Sequence, residues 1–196
     1  MLHNLFTYSA WSFEHKSHLK DYCDSIQKNS KSVTKSNVGG FQSDNLNLDE
    51  PILQPLITSI LNETSNYHKN FDVNVSYLYI SSMWINVNGY KDSNAEHVHG
   101  DAMYSGVYYI STPNDCGHIE FIRPDGDLMD SHWLKLNRNS YNNLNTNLWW
   151  LPSQENTGYI FPSYYKHRVQ PNLNKELKRY SLSFNIKHGE KPKTYT

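Results

Sequence analysis

Apolar side chains recur at Leu53, Leu56, Ile57, Ile60 and Leu61, the three-and-four spacing that lines one face of a helix. Asp49 or Glu50 can cap its start, Pro51 suits the first helical position and Pro55 falls early enough to be tolerated in the first turn. The pattern predicts a helix from about Pro51 to Lys69. Upstream, Phe13, Leu19, Tyr22, Cys23 and Ile26 in "SFEHKSHLKDYCDSIQKN" follow roughly helical spacing, predicting a short helix entered at a Ser12 N-cap. Residues 30–50 are rich in Ser, Asn and Gly, and the pair Gly39-Gly40 marks a turn with free φ, so this stretch reads as a long loop or a β-arm.

From Val73 onward the period shortens. "DVNVSYLYISSMWINVNG", "SGVYYIST", "GHIEFIRP", "TGYIFPSYYKHRVQP" and "RYSLSFNIKHG" read as strands broken by Gly, Pro, Asn and Asp. Two helices followed by strands predict an α+β fold whose strands close into a sandwich or barrel. The Asn-rich "LNRNSYNNLNTNLWW" has little periodicity before Trp149 and Trp150 and reads equally as a cover over a site or as a solvated loop. The 196 residues suit one domain, residues 1–196, with helical support over about 12–70 and a β core over about 73–187.

Composition narrows the partners. Lys plus Arg number 18 against 19 Asp plus Glu, so no basic field exists to hold a phosphate backbone, and nucleic acid is not expected as the primary partner. Cys23 and Cys116 are too few for a disulfide framework and form no C-x-x-C pair, so they read as reduced and intracellular. No signal-like start or membrane-length apolar run is present, which makes a cytoplasmic protein the expectation.

The candidate chemistry sits in "HVHGDAMYSGVYYI", residues 97–110. Residues i and i+2 of a strand face the same way, so His97 with His99, or His99 with Asp101, can aim at one point. His167, just after an apolar strand, is the candidate third ligand, and two neighbouring ligands plus a remote histidine make a facial triad with open metal positions. Any one of the ten histidines is more readily explained as a surface or hydrogen-bonded residue, so the spacing carries the argument. Twelve residues beyond His167, Arg179 with Ser181 on the same strand face offers a guanidinium and a hydroxyl, a receptor for a carboxylate.

In this order and with these gaps the residues resemble the Fe(II)- and 2-oxoglutarate-dependent oxygenases. More narrowly, "MWINVNG", "HVHG" with "SGVYYI", "IFPSYYKHRVQP" and "RYSLSFN" resemble a family of 2-oxoglutarate/Fe(II) oxygenases of bacteria and tailed phages, related to prolyl hydroxylases, over roughly residues 80–187. The resemblance implies a double-stranded β-helix, a jelly-roll or cupin-like barrel with N-terminal supporting helices. It implies a dioxygenase hydroxylating an unknown substrate, a peptide or prolyl residue or a small molecule, with Fe(II), 2-oxoglutarate and O2 as cofactors and succinate and CO2 as products. It makes His97, His99 and His167 the metal ligands, and Tyr109, Arg179 and Ser181 the cosubstrate anchors. The wider superfamily has His-x-Asp, which fits His99 and Asp101 with His167. The narrower family has His-x-His followed by Pro, which favours His97 and His99, although Gly100 stands where that Pro belongs.

Trp84, Asn86, Tyr104, Phe161 and Tyr165 are candidates to line the pocket, with ordinary barrel packing the stronger reading for the aromatics. Arg123 reads as part of a solvated turn. Two rivals stand beside the oxygenase: a non-catalytic jelly-roll metal-binding or phage structural module, and a three-histidine cupin dioxygenase that uses no 2-oxoglutarate.

Overall fold

Residues with a two-residue period assemble into two facing antiparallel sheets in the computed structural model, which describes residues 1–3, 5–133 and 136–189. In chain order the elements are β1 (Trp11–Glu14), α1 (Lys20–Asn29), β2 (Asn37–Val38), β3 (Phe41–Gln42), α2 (Gln54–His68), β4 (Tyr77–Asn88), β5 (Ser93–His97), β6 (Tyr104–Ser111), β7 (Ile119–Ile122), α3 (Gly126–Trp133), β8 (Leu148–Leu151), β9 (Thr157–Pro162), β10 (His167–Val169) and β11 (Arg179–Gly189). The larger sheet runs β1-β9-β6-β11-β4-β3 and the smaller β2-β5-β10-β7-β8. This is a double-stranded β-helix, as expected, but not a closed barrel. Each sheet ends in short edge strands of two to four residues that do not pair with the other sheet.

The larger sheet has two unlike faces. On β11, Tyr180, Leu182, Phe184 and Ile186 join the main core with Leu19 and Cys23 near and on α1, and Leu56, Ile60 and Tyr67 on α2. The alternate residues Arg179, Ser181 and Ser183 face the other sheet, in register with Asn88, Asn86 and Trp84 of β4. The apolar face is therefore spent on the supporting helices, and the space between the sheets is left to polar chemistry. A smaller cluster, Val107, Tyr109, Ile119, Tyr159, Phe161 and Tyr165, packs between the sheets.

Some local expectations need correction. Ser12 caps no helix: Trp11–Glu14 pairs with Thr157–Ile160, and Phe13 alone of the four is buried, the alternation of an edge strand. The long helix begins with a single-turn 3-10 segment, Pro51–Leu53, before α2, and Glu50 makes no side-chain cap. The run from Thr157 divides at a turn closed by Tyr165 N–H on the Pro162 carbonyl (3.0 Å), placing β9 and β10 in different sheets. Gly39 and Gly40, at φ of 70° and 66°, carry the chain between sheets, since β2 pairs with β5 and β3 with β4. The turn expected around Arg123 is there, with Arg123 Nε donating to exposed Asp125 at 2.7 Å, but a short helix, α3, follows it.

Gly106 of β6 lies under the Phe184 ring, and a Cβ there would stand 2.5 Å from the Tyr159 carbonyl of the paired strand. Backbone cannot yield as a side-chain tip can, so Gly106→Ala is expected to destabilise by about 1–3 kcal/mol or more. A urea-unfolding midpoint indistinguishable from that of the unsubstituted protein would contradict this packing.

Candidate functional site

His97 ends β5, His167 opens β10, and the two are directly opposed in the ladder. His99 lies two residues past the strand end, held by its own N–H on the Ser163 carbonyl (3.0 Å). That bond tethers the backbone at His99, and the next residue, Gly100, has open space around it. The ring centroids lie 4.4 Å (His97–His167), 4.9 Å (His97–His99) and 5.2 Å (His99–His167) apart. Each ring offers a nitrogen, and these lie within 4.8 Å of one another.

Two of the rings are fixed in tautomer and orientation. The Nδ1 atoms of His97 and His167 lie 2.7 Å and 2.8 Å from the carbonyls of Ala95 and Tyr165. A carbonyl only accepts, so each Nδ1 carries the proton and each Nε2 keeps its lone pair, the arrangement that backs metal-bound histidines. Burial lowers the pKa of all three, His99 to about 4 and His167 to about 3, so the rings are neutral donors near pH 7. The residues present fit a divalent metal of the imidazole-binding class, which includes iron.

Asp101 is not among them. Its side chain is 95% exposed and its Oδ2 meets Lys187 Nζ at 2.5 Å. The alternation that would align Asp101 with His99 ends with the strand, and the turn after His97 sends the carboxylate outward.

Protonation sets a pH dependence. An unfolded histidine titrates near 6.5, whereas these titrate well below it in the fold, so the unfolded chain binds protons first as pH falls. Chelator-treated protein is therefore expected to keep its stability above about pH 6.5 and to lose it progressively toward pH 4. A His167→Gln variant should show a shallower loss. Urea midpoints across this range that do not fall would contradict neutral, buried imidazoles.

Behind the histidines the polar face of the larger sheet carries the other predicted residues. Trp84, Asn86, Phe161, Tyr109 and Ser181 line the same intersheet cavity as the three histidines. Tyr104 does not: it faces the helices, its hydroxyl 2.7 Å from His68 Nδ1. Tyr165 flanks His167 and faces an outer groove. Ser181 and Tyr109 are ladder partners, and Arg179 neighbours the phenol.

Arg179 is fully buried, and its Nη1 donates to the carbonyls of Cys116 and Gln170, the latter at 3.1 Å. Its Nε and Nη2, and the hydroxyl of Tyr109, have no partner among the described residues. Buried polar atoms are nearly always satisfied, so an arginine edge and a phenol left bare beside each other mark a place for an anion. Burial pushes the Tyr109 pKa up, so the phenol is a donor, and burial pulls the Arg179 pKa down from a value high enough to leave it cationic. Sequence reading missed Asn94 and Ser36, which line this space; lone polar residues in loops and short strands carry no periodic signal.

No helix among the described residues is long and apolar enough to cross a membrane. No curated protein sequence matches the chain. Among solved structures, a prolyl-4-hydroxylase from Pseudomonas putida is similar in fold at 12% identity, TM-score 0.63, over 93% of this chain and 95% of that one. A viral collagen prolyl hydroxylase from Paramecium Bursaria Chlorella virus-1, solved with 2-oxoglutarate, aligns at 12% identity, TM-score 0.52, over 90% and 95%. HygX from Streptomyces hygroscopicus, with nickel and 2-oxoglutarate bound, aligns at 11% identity, TM-score 0.56, over 97% and 85%. The family model described as "Putative 2OG-Fe(II) oxygenase" matches residues 82–185, just over half of the 196 residues and the span that holds the histidines, Tyr109, Arg179 and Ser181. The chain therefore belongs to the 2OG-Fe(II) oxygenase family, an oxygenase-type enzyme whose cofactors are Fe(II) and 2-oxoglutarate.

Proposed function

We propose that this oxygenase hydroxylates an organic substrate, with His97, His99 and His167 holding Fe(II) and with Arg179, Ser181 and Tyr109 holding the distal carboxylate of 2-oxoglutarate. The observation that carries the reading is the pairing of three neutral imidazoles, which line the intersheet cavity with Tyr109 and Ser181, with the bare edge of a buried arginine that neighbours the Tyr109 phenol. When bound, Fe(II) with 2-oxoglutarate and dioxygen supplies the oxidising power for C–H hydroxylation, with succinate and CO2 as the other products.

The residues of the chain have three tasks. The Ala95 and Tyr165 carbonyls hold the imidazoles of His97 and His167 as neutral donors. The buried guanidinium and phenol would hold the distal carboxylate of the cosubstrate and so limit its orientation. The walls of Trp84, Val107 and Phe161 keep the reacting space dry.

The substrate side is the outer groove, about 810 Å³, walled by Phe121, Tyr165, Trp149 and the N-terminal residues around Tyr8. Its floor continues the ligand row: His97, His167, Phe121 and Trp149 are opposed in turn across β5, β10, β7 and β8, which puts all four on one face. The Phe121 and His167 ring centroids are 6.2 Å apart. Arg123 is paired with Asp125 and Lys166 with Glu96, so the groove offers rings in preference to free charge. Such a wall suits a peptide segment presenting a prolyl ring, the substrate type named for two of the similar structures, ahead of a charged metabolite.

The test is an anaerobic titration of metal-free protein with Fe(II) and 2-oxoglutarate, followed by oxygen and proline-containing peptides. A weak visible charge-transfer band that bleaches with oxygen, and succinate release stimulated by a peptide, are expected. Iron binding without the band points to a three-histidine dioxygenase, and no iron binding to a non-catalytic module; either result overturns the proposal.

A further inference from the structure

The loop that leaves β8 brings a further polar group to the bare edge of Arg179. Ser153 is anchored there by its own N–H, which donates to His118 Nδ1 at 3.2 Å, and the His118 ring lies flat on Trp150, centroids 4.7 Å apart and planes at 14°. Trp150 is the β8 residue opposed to Glu120 of β7, so the stack fixes the loop against the smaller sheet. The Ser153 side chain neighbours both the Tyr109 phenol and the Cys116 thiol, and Arg179 neighbours the same two groups. The Ser153 Oγ is buried and, like the Tyr109 hydroxyl and the Arg179 Nε and Nη2, has no hydrogen-bond partner of good geometry among the described residues.

Four buried polar atoms on three side chains, adjacent and all unsatisfied, is an arrangement with a heavy cost unless one ligand satisfies them together. Together they supply a guanidinium edge and two hydroxyl donors, close to the roughly four lone-pair directions of one carboxylate. A phosphate or a second cation fits less well. The acid whose field reaches Arg179 among the described residues is Asp92, which accepts from Gly89 N–H at 2.7 Å.

We propose that Ser153 is a third anchor for the distal carboxylate of the 2-oxo acid, supplied by the β8–β9 loop and positioned by His118, and that it sharpens selection for a dicarboxylic over a monocarboxylic 2-oxo acid. The proposal rests on the cosubstrate reading of Arg179 and Tyr109. It adds to it a residue from the loop between β8 and β9, which joins the two sheets.

The experiment is calorimetric binding to Mn(II)-loaded protein, with 2-oxoglutarate and with 2-oxovalerate, the five-carbon 2-oxo acid that ends in a methyl group. Ser153→Ala is expected to weaken 2-oxoglutarate about tenfold, the loss of one charge-assisted hydrogen bond. It should leave 2-oxovalerate unchanged, and Ser153→Thr should restore most of the lost affinity. An unchanged 2-oxoglutarate affinity in Ser153→Ala, or equal weakening of both acids, overturns the role of Ser153 while leaving the cosubstrate reading in place. If the unsubstituted protein does not prefer 2-oxoglutarate to 2-oxovalerate, the cosubstrate reading fails and this proposal with it.

Discussion

His97→Ala, His99→Ala and His167→Ala are each expected to abolish stoichiometric Fe(II) binding, whereas Asp101→Ala is expected to leave it intact. The three rings are a pre-formed donor set: two are locked by carbonyls at 2.7 Å and 2.8 Å, and the third is tethered through its backbone to Ser163. With one ring removed, two donors remain in a site where nothing else is placed to take the vacancy. The described residues bring no carboxylate into the metal-binding group, and Asp101 would have to leave Lys187 and reverse the turn after β5 to arrive. An exposed ion pair of this kind contributes at most about 1 kcal/mol, so Asp101→Ala should barely alter stability either. The measurement is iron content after anaerobic loading and desalting, with folding checked by circular dichroism. Iron retained by His97→Ala but lost from Asp101→Ala would exchange the two residues and restore the His-x-Asp register.

That choice marks the limit of what the sequence could say. Period-two alternation made the strands carrying Tyr109, His167, Arg179 and Ser181 legible, whereas β5, the polar "SNAEH" that carries His97, was not among the strands read and only the i, i+2 spacing of its histidines pointed there. It could not say where the strand ended, and Asp101 falls on the far side of that end. The same blindness hid β1, whose four residues "WSFE" resemble the approach to a helix until Phe13 is seen lying over Gly158. It also hid α3, eight residues that follow a Pro-Asp-Gly stretch read as a turn. The open edges of the two sheets follow from strands of two to four residues, too short to be seen as strands in advance. Ser153 was illegible for a different reason: its role depends on a loop trajectory fixed by a stack between His118 and Trp150, thirty-two positions apart. Tyr109 and Arg179 were found through a family resemblance and a spacing, and it is their missing hydrogen bonds that give the assignment physical content.

Those missing bonds predict a second large effect. Arg179→Met is expected to raise the dissociation constant for 2-oxoglutarate on the order of a hundredfold or more, without a matching loss of stability. The guanidinium is fully buried, its Nη1 spent on two backbone carbonyls and its other edge bare, with no ion pair to an acid among the described residues. A buried cation without a paired anion costs free energy, and truncating one partner of a buried, hydrogen-bonded charge pair costs about 2–5 kcal/mol, about 30-fold to several thousand-fold in affinity. Methionine fills similar volume with nothing to desolvate, so what it loses in carbonyl contacts it partly regains by removing the unpaired charge. The prediction therefore separates two readings of Arg179. If it is a cosubstrate anchor, 2-oxoglutarate at 100 times its dissociation constant should stabilise the metal-loaded protein by about 2.7 kcal/mol, and Arg179→Met should lose that gain while the ligand-free proteins melt at similar temperatures. If it is a structural clamp on the Cys116 and Gln170 carbonyls, Arg179→Met should melt several degrees lower with or without ligand, and the increment from 2-oxoglutarate should survive. A melting series of both proteins, with and without 2-oxoglutarate, decides between them, and the bare Nε and Nη2 edge is the reason to expect the first.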